Sequence, residues 1–257
     1  MSDGTVNGSP GYLLDAIRRQ SPITRAELAS MTGLARSTVA HRVDQLIAQG
    51  LVGEAGEAIS TGGRPPTMLE FNAGSGVVLV ADLGATHSRL AVCDLDTNPL
   101  AETCRDLDIA DGPDAVLSWV LDSFADLTAE AGRTTDDVRG VAIGVPGPVD
   151  YVAGRAVNPP IMPGWDGYEI RDRFQERYEV PVLVDNDVNI MAWGEYWVMF
   201  PKVDDLVFVK VGTGIGSGLI VGGRIQRGAK GAAGDIGHIQ AGSADVMCRC
   251  GNPGCLE

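Results

Sequence analysis

Basic residues are scarce in this chain: 20 Lys and Arg stand against 34 Asp and Glu, a net charge of −14. That deficit argues against a protein coating nucleic acid along its whole length, because phosphate contacts draw on Lys and Arg. Also missing is any apolar run near the roughly 20 residues that cross a bilayer. Met1 to Pro10 lacks the basic-then-apolar pattern of a secretory leader. The expectation is a cytoplasmic protein with no membrane partner. Without a secretion signal, the five cysteines are expected to be reduced thiols. Three of them fall within the last ten residues, which suits metal binding better than disulfides.

What is present fits a globular protein. Hydrophobic residues at 44% and charged residues at 21% allow a sizeable core, and 257 residues suggest one large or two modest domains. The charge is uneven. Residues 1–70 hold six Arg against seven acidic residues and net −1, while the remainder nets −13. A near-neutral head on an acidic body permits DNA contact through the head alone.

Apolar spacing is helical from Gly11 to Gly50, and from Val77 onward short β-rich runs alternate with amphipathic helical stretches. The boundary is therefore placed at 71/72. In the head, Thr24-Arg25-Ala26-Glu27 is a capping box, so a helix starts near Thr24. After a break at Thr32-Gly33, Val39, Val43, Leu46 and Ile47 make the apolar stripe of a second helix that closes at Gly50. Two short helices joined by a glycine turn form a helix-turn-helix. Ser37, Thr38 and His41 lie off the stripe with Arg36 and Arg42 on its flanks, placed for base edges and phosphates in a major groove. Simple helix packing is the bland alternative, since many αα-hairpins share this turn. Ile59 to Pro66 (ISTGGRPP) reads as a loop between two short strands, with prolines stiffening an outstretched Arg64 suited to a minor groove.

The body reads as α/β, with strands at 77–82, 88–94, 138–144, 182–185 and 206–211 and helices at 114–131 and 189–200. Asp82-Leu83-Gly84-Ala85-Thr86 falls in a tight turn between two β runs. Its exposed amides, carboxylate and hydroxyl can hold phosphate and its metal. Gly212-Thr213-Gly214-Ile215-Gly216 follows a strand in the same manner, although such turns also arise for conformational reasons alone. Asn186 and Asp187 end a strand and open a helix, at the sheet edge where α/β folds bind ligands. A carboxylate there can take a proton from a bound hydroxyl, and both residues are also good helix caps. His238, Cys248, Cys250 and Cys255, at spacings of ten, two and five, supply one imidazole and three thiolates for a closed tetrahedral zinc site of structural type. Cys93 and Cys104 lie in strand-like runs and read as buried thiols.

These motifs together resemble the ROK family of repressors and sugar kinases. The head is similar to the winged helix-turn-helix of ROK regulators over nearly all of residues 11–71, departing at Ala35, where a capping Ser is usual. The two glycine turns look like the first and second phosphate motifs of the actin-like ATPase and sugar-kinase fold, which is ribonuclease H-like. Gly237-His238 followed by Cys-x-Cys-Gly-x-x-Gly-Cys-x-Glu matches the ROK signature through Glu257.

The resemblance implies a sugar-responsive regulator, most simply a repressor, that binds operator DNA and a hexose or amino-sugar effector and forms a homodimer or homotetramer. Asn158, Asn186, Asp187, Asp235, His238 and Glu257 would contact the sugar, with Asp235 one methylene shorter than the family's Glu. Asn158-Pro159-Pro160 and Trp165 look like pocket loops. The alternative is an ATP- and Mg²⁺-dependent hexose or amino-sugar kinase with Asp187 as its base. ATP and Mg²⁺ would sit on Asp82, Gly84, Thr86, Gly212, Thr213 and Gly214. Ala85 and His87 replace the usual Gly and Lys of the first motif, which disfavours nucleotide. Family members run past Glu257, so the second lobe is expected to be truncated here.

Overall fold

The computed structural model describes residues 9–57, 66–241 and 246–257. The chain divides into two compact units, one running to Gly76 and taking in Asp94–Asn98, the other holding Val77–Cys93 and Pro99–Glu257.

The first unit begins with α1 (Pro10–Gln20), where the Ser9 hydroxyl accepts the Tyr12 amide and a proline opens the first turn. β1 (Ile23–Thr24) leads directly into α2 (Arg25–Thr32). At that junction Thr24 Oγ1 accepts the Glu27 amide at 3.2 Å, and Glu27 Oε2 accepts the Thr24 amide at 2.8 Å. This is the capping box read from the sequence. α3 (Arg36–Ala48) starts after Ala35, which supplies no side-chain cap. Leu13, Ile17, Leu28, Val39, Val43 and Leu46 fill the space between the three helices, each buried side chain contributing about 1.5–3 kcal/mol. β2 (Val52–Glu57) and β3 (Thr67–Phe71) complete an antiparallel sheet of order β1-β3-β2, which makes the unit a winged helix-turn-helix. Arg64 and its Gly-Pro neighbours at 62–65 lie outside the described residues.

In the second unit a five-stranded sheet has the order β10-β7-β4-β5-β6. β4 (Val77–Leu83) buries Val77, Leu79, Ala81 and Leu83 with strict period-two alternation. β5 (His87–Asp94) and β6 (Pro99–Asp106) extend the sheet on one side. On the other side β7 (Val138–Val145) and β10 (Val182–Asn186) run parallel to β4. Parallel neighbours need crossovers, supplied by α4 (Pro113–Glu130) and α5 (Ile170–Gln175). α4 buries Val116, Leu117, Val120, Phe124 and Leu127, a single face at helical spacing. A short ribbon, β8 (Val149–Asp150) with β9 (Arg155–Ala156), lies between β7 and α5 in the chain.

α6 (Asp187–Met199) then leads to a second sheet of β11 (Leu206–Val211), β12 (Ile215–Val221) and β13 (Arg224–Gln226). α6 packs tightly on β12: a Cβ at Gly218 would collide with Ala192 and with the Val188 carbonyl, so only glycine permits the approach.

Three expectations change. α6 starts two residues earlier than its apolar pattern suggests, because Asn186 Oδ1 accepts the amides of Val188 and Asn189. Cys104 is exposed: it pairs with Arg89 across β5 and β6, and β6 is an edge strand whose outer face meets water. Trp165 belongs to the hydrophobic core, its indole Nε1 donating to the Ile109 carbonyl at 3.0 Å. No helix among the described residues is long and apolar enough to cross a membrane.

Candidate functional site

On α3 the apolar stripe fixes what faces outward. Arg36, Ser37 and His41 are exposed at or near the helix start, and Thr38 and Arg42 are half-buried. Arg42, expected on the flank for base edges and phosphates, has its Nη1 buried with no hydrogen-bond partner among the described residues. Arg25 bridges Asp44 and Glu54, tying α3 to the wing strand β2.

A cavity of about 410 Å³ opens in the second unit, within the range of small-ligand sites. The fold brings to it Asp82, Gly84 and Thr86 from the β4–β5 turn and Gly212, Thr213 and Gly214 from the β11–β12 turn. Asn186 and Asp187 enter from the end of β10, and Asp235, His238 and Glu257 from the C-terminal segment. Asn158 is not among the lining residues. It is exposed at φ 44°, where its amide donates to Asp166.

Asp187 is only 4% exposed, and the Lys210 ammonium donates to its Oδ2 at 2.7 Å. Asp187 Oδ1 accepts the Val188 amide at 2.9 Å. Asn186 both caps α6 and donates through Nδ2 to the Gly147 carbonyl at 3.0 Å, so capping and pocket placement coexist. Beneath them, Asp185 takes Arg227 on one oxygen and the Asn189 side chain on the other. Arg227 also lies over the Tyr151 ring, 3.7 Å from its centroid. Glu257 Oε2 accepts the Ile215 amide at 3.2 Å, which pins that carboxylate against the second glycine turn. Burial raises the Asp82 carboxyl above the usual range; the Asp187 charge pushes it the same way, and Lys210 opposes both.

Sequence reading misses Lys210, Asp185 and Arg227. One signal marks the first of them: Lys210 stands two residues before Gly212, as Asp82 stands two before Gly84.

His238, Cys248, Cys250 and Cys255 place four ligand atoms within 4.8 Å of one another. His238 Nδ1 lies 3.5 Å from Cys248 Sγ, and Cys250 Sγ lies 3.6 Å from Cys255 Sγ. Two thiolates on a tetrahedral zinc stand about 3.8 Å apart, so this donor set has the spacing a metal needs. Backbone bonds hold it: the Cys248 amide donates to the Asn252 carbonyl, and Gly251 donates back to Cys248. Burial, with Cys250 and Cys248 alongside, pushes the Cys255 thiol up to about 12, while the Asn252 backbone lowers Cys250. With Nδ1 turned to the thiols, the other imidazole nitrogen faces Asp235 at 4.0 Å. The group can hold a metal ion and, through His238, reaches the cavity.

The chain matches the model of winged helix-turn-helix DNA-binding proteins over residues 13–52 and that of the ROK family over residues 78–257. Across 95% of its length it is 32% identical to the xylose repressor of Caldicellulosiruptor bescii, covering 61% of that protein. It is 29% identical to the DNA-binding transcriptional dual regulator NagC of Escherichia coli K12, covering 98% of the chain and 61% of the relative. The chain thus spans about three fifths of the length of the curated relatives it matches. Among solved structures, a ROK family transcriptional regulator homologous to the E. coli MLC protein superposes with a TM-score of 0.81 at 28% identity, over 97% of this chain and 63% of that one. A ROK family glucokinase from Streptomyces griseus, in complex with glucose and AMPPNP, gives a TM-score of 0.58 at 30% identity, over 70% of this chain and 55% of that one. With the family model matched over residues 78–257, well over half of its length, this chain belongs to the ROK family.

Proposed function

We propose that this chain is the DNA-binding and effector-binding part of a sugar-responsive transcriptional repressor. The observation that carries the reading is one chain holding both a winged helix with exposed Arg36, Ser37 and His41 and a cavity lined by carboxylates, an amide and an imidazole. The names of the similar regulators, xylose repressor and N-acetylglucosamine repressor, support a sugar as effector.

In this reading residues 1–71 hold operator DNA and residues 72–257 sense the effector. The assembly is cytoplasmic and a homodimer or homotetramer. Arg36 reads a base edge and Arg64 enters a minor groove. Asp187, Asp235 and Glu257 accept hydrogen bonds from sugar hydroxyls, and the Asn186 amide contributes a further polar contact. The metal is structural zinc, whose charge draws the imidazole and three thiolates into a closed tetrahedron. Its consequence for the sugar lies with His238, whose ring is fixed by Nδ1 so that Nε2 faces the ligand. Effector binding shifts the balance between DNA-holding and DNA-releasing states only as far as its affinities for the two differ.

The placement of Asp187 in the cavity also favours a second reading, a sugar kinase. Coupled ADP release from the full-length protein, with xylose, glucose and N-acetylglucosamine, separates the two. The regulator reading expects calorimetric binding of one sugar without turnover. Sugar-dependent ADP release that disappears in Asp187→Asn would establish the kinase instead.

A further inference from the structure

The two glycine turns have the same layout, strand then turn then strand, and both line the cavity. They differ in charge at matching positions, with Asp82 two residues before Gly84 and Lys210 two before Gly212. Lys210 is one of three lysines in the chain, and its stem lies in β11 with the ammonium turned onto Asp187. Its side chain is 33% exposed against 4% for Asp187, so the pair spans from solvent to the buried carboxylate.

Two consequences follow for the kinase chemistry of the fold. Asp187 Oδ2 already accepts an N–H, and Oδ1 is engaged by the Val188 amide. Each Asp187 oxygen thus keeps one further acceptor site, enough for a sugar hydroxyl but with its charge already matched by the Lys210 ammonium. The cavity is also lined by four carboxylates, from Asp82, Asp187, Asp235 and Glu257, and by the cations Lys210 and Arg249. A divalent cation seeks carboxylate oxygens. Beside Asp187 it would meet the Lys210 ammonium, and like charges at such distances repel strongly where water is partly excluded. The residues present therefore do not fit Mg²⁺–nucleotide. They suit a neutral polyhydroxyl ligand, since an added phosphate would face an excess of carboxylate.

We propose that Lys210 is a built-in counter-ion that takes the cation's place beside Asp187, so that the cavity binds an unphosphorylated sugar on its own and excludes Mg²⁺–nucleotide. This specificity-determining role deepens the regulator reading and rests on it for the sugar, but its cation claim stands separately. Asp82 points the same way, because its carboxyl is raised by burial and Asp187 and lowered by Lys210, the balance expected of a local counter-charge.

The test uses the zinc-loaded full-length protein and Mn²⁺ as probe, followed by water-proton relaxation. Wild type should bind Mn²⁺ at least tenfold more weakly than Lys210→Met, and the gain should vanish in Lys210→Met/Asp187→Asn. Equal Mn²⁺ affinity in wild type and a folded Lys210→Met would overturn the proposal. A second measurement needs no variant: titration of wild type with xylose, glucose and N-acetylglucosamine, with and without Mg²⁺–AMPPNP. Sugar affinity should stay within twofold. Tightening by tenfold or more with Mg²⁺–AMPPNP would overturn the proposal even where Lys210→Met fails to fold. Silence towards all three sugars, with the Mn²⁺ difference present, would remove the sugar-sensor reading and leave the counter-ion in place.

Discussion

Arg227 sets both Nε and Nη2 on a single oxygen of Asp185, at 2.8 and 2.7 Å. The other Asp185 oxygen accepts the Asn186 amide at 2.8 Å and the Asn189 side chain at 3.0 Å. Asp185 thus couples the segment after β13 to the strand end that presents Asn186 and Asp187. Arg227→Met leaves a carboxylate of 10% side-chain exposure without its cation. Because the guanidinium is 28% exposed, the loss is set below that of a fully buried pair, at about 2 kcal/mol. Urea denaturation checks the stability, and calorimetry should show sugar affinity falling at least tenfold as Asn186 and Asp187 lose their support.

Two glycines near the cavity are expected to respond in opposite ways. A Cβ at Gly214 would come 2.8 Å from Glu257 Oε2, the far end of a flexible side chain. Gly214→Ala should therefore displace that carboxylate, weakening sugar binding several-fold while the melting temperature moves little. At Gly234, φ is 90° and a Cβ would collide with the Ser217 carbonyl, which has no freedom to yield. Gly234→Ala should destabilise the second unit by about 3 kcal/mol or more, read as a loss of its calorimetric transition.

Cys250→Ser removes one thiolate from the four-residue cluster. Elemental analysis should give about one zinc per wild-type chain and less than about a tenth of that in the variant. With His238 Nδ1 no longer held, sugar binding should be lost while the helical signal of the winged-helix unit is retained.

The Asp82 carboxyl is raised mainly by burial and next by Asp187. A carboxyl whose folded value exceeds its unfolded one stabilises the protein in its protonated form, fully below the unfolded value and progressively less as pH rises through the folded one. At pH 7 its ionised form is a net cost. Asp82→Asn should raise the melting temperature at pH 7, with the gain shrinking towards zero below pH about 4. A gain independent of pH would contradict this.

Much of this architecture can be read from residues alone, for reasons that differ by element. The Thr24–Glu27 box is legible because both partners lie within one turn. The four ligand-type residues stand out because cysteines at such short spacing have few other uses, and they gather within 4.8 Å. Lys210 stays hidden because Phe208-Val209-Lys210-Val211 reads as an ordinary strand with one polar position; its partner Asp187 lies 23 residues away on α6. Trp165 sits in a motif that suggests a pocket, but burying so large a side chain is worth more in the core. Cys104 misleads because a strand pattern does not reveal which strand ends at the sheet edge. Asn158 remains outside the cavity lining, and Arg64 lies beyond the described residues, so their roles rest on the family pattern.

Coupling between the cavity and DNA is what a sugar-responsive repressor requires above all. Fluorescence anisotropy of an operator duplex, selected by the full-length protein, measures it while xylose, glucose and N-acetylglucosamine are titrated in. One of these sugars should weaken operator binding at least tenfold in wild type. It should have no effect on the operator affinity of Cys250→Ser, while Arg36→Ala should weaken the operator complex without sugar by roughly 1–3 kcal/mol. Operator affinity that is the same with and without every sugar would contradict that coupling.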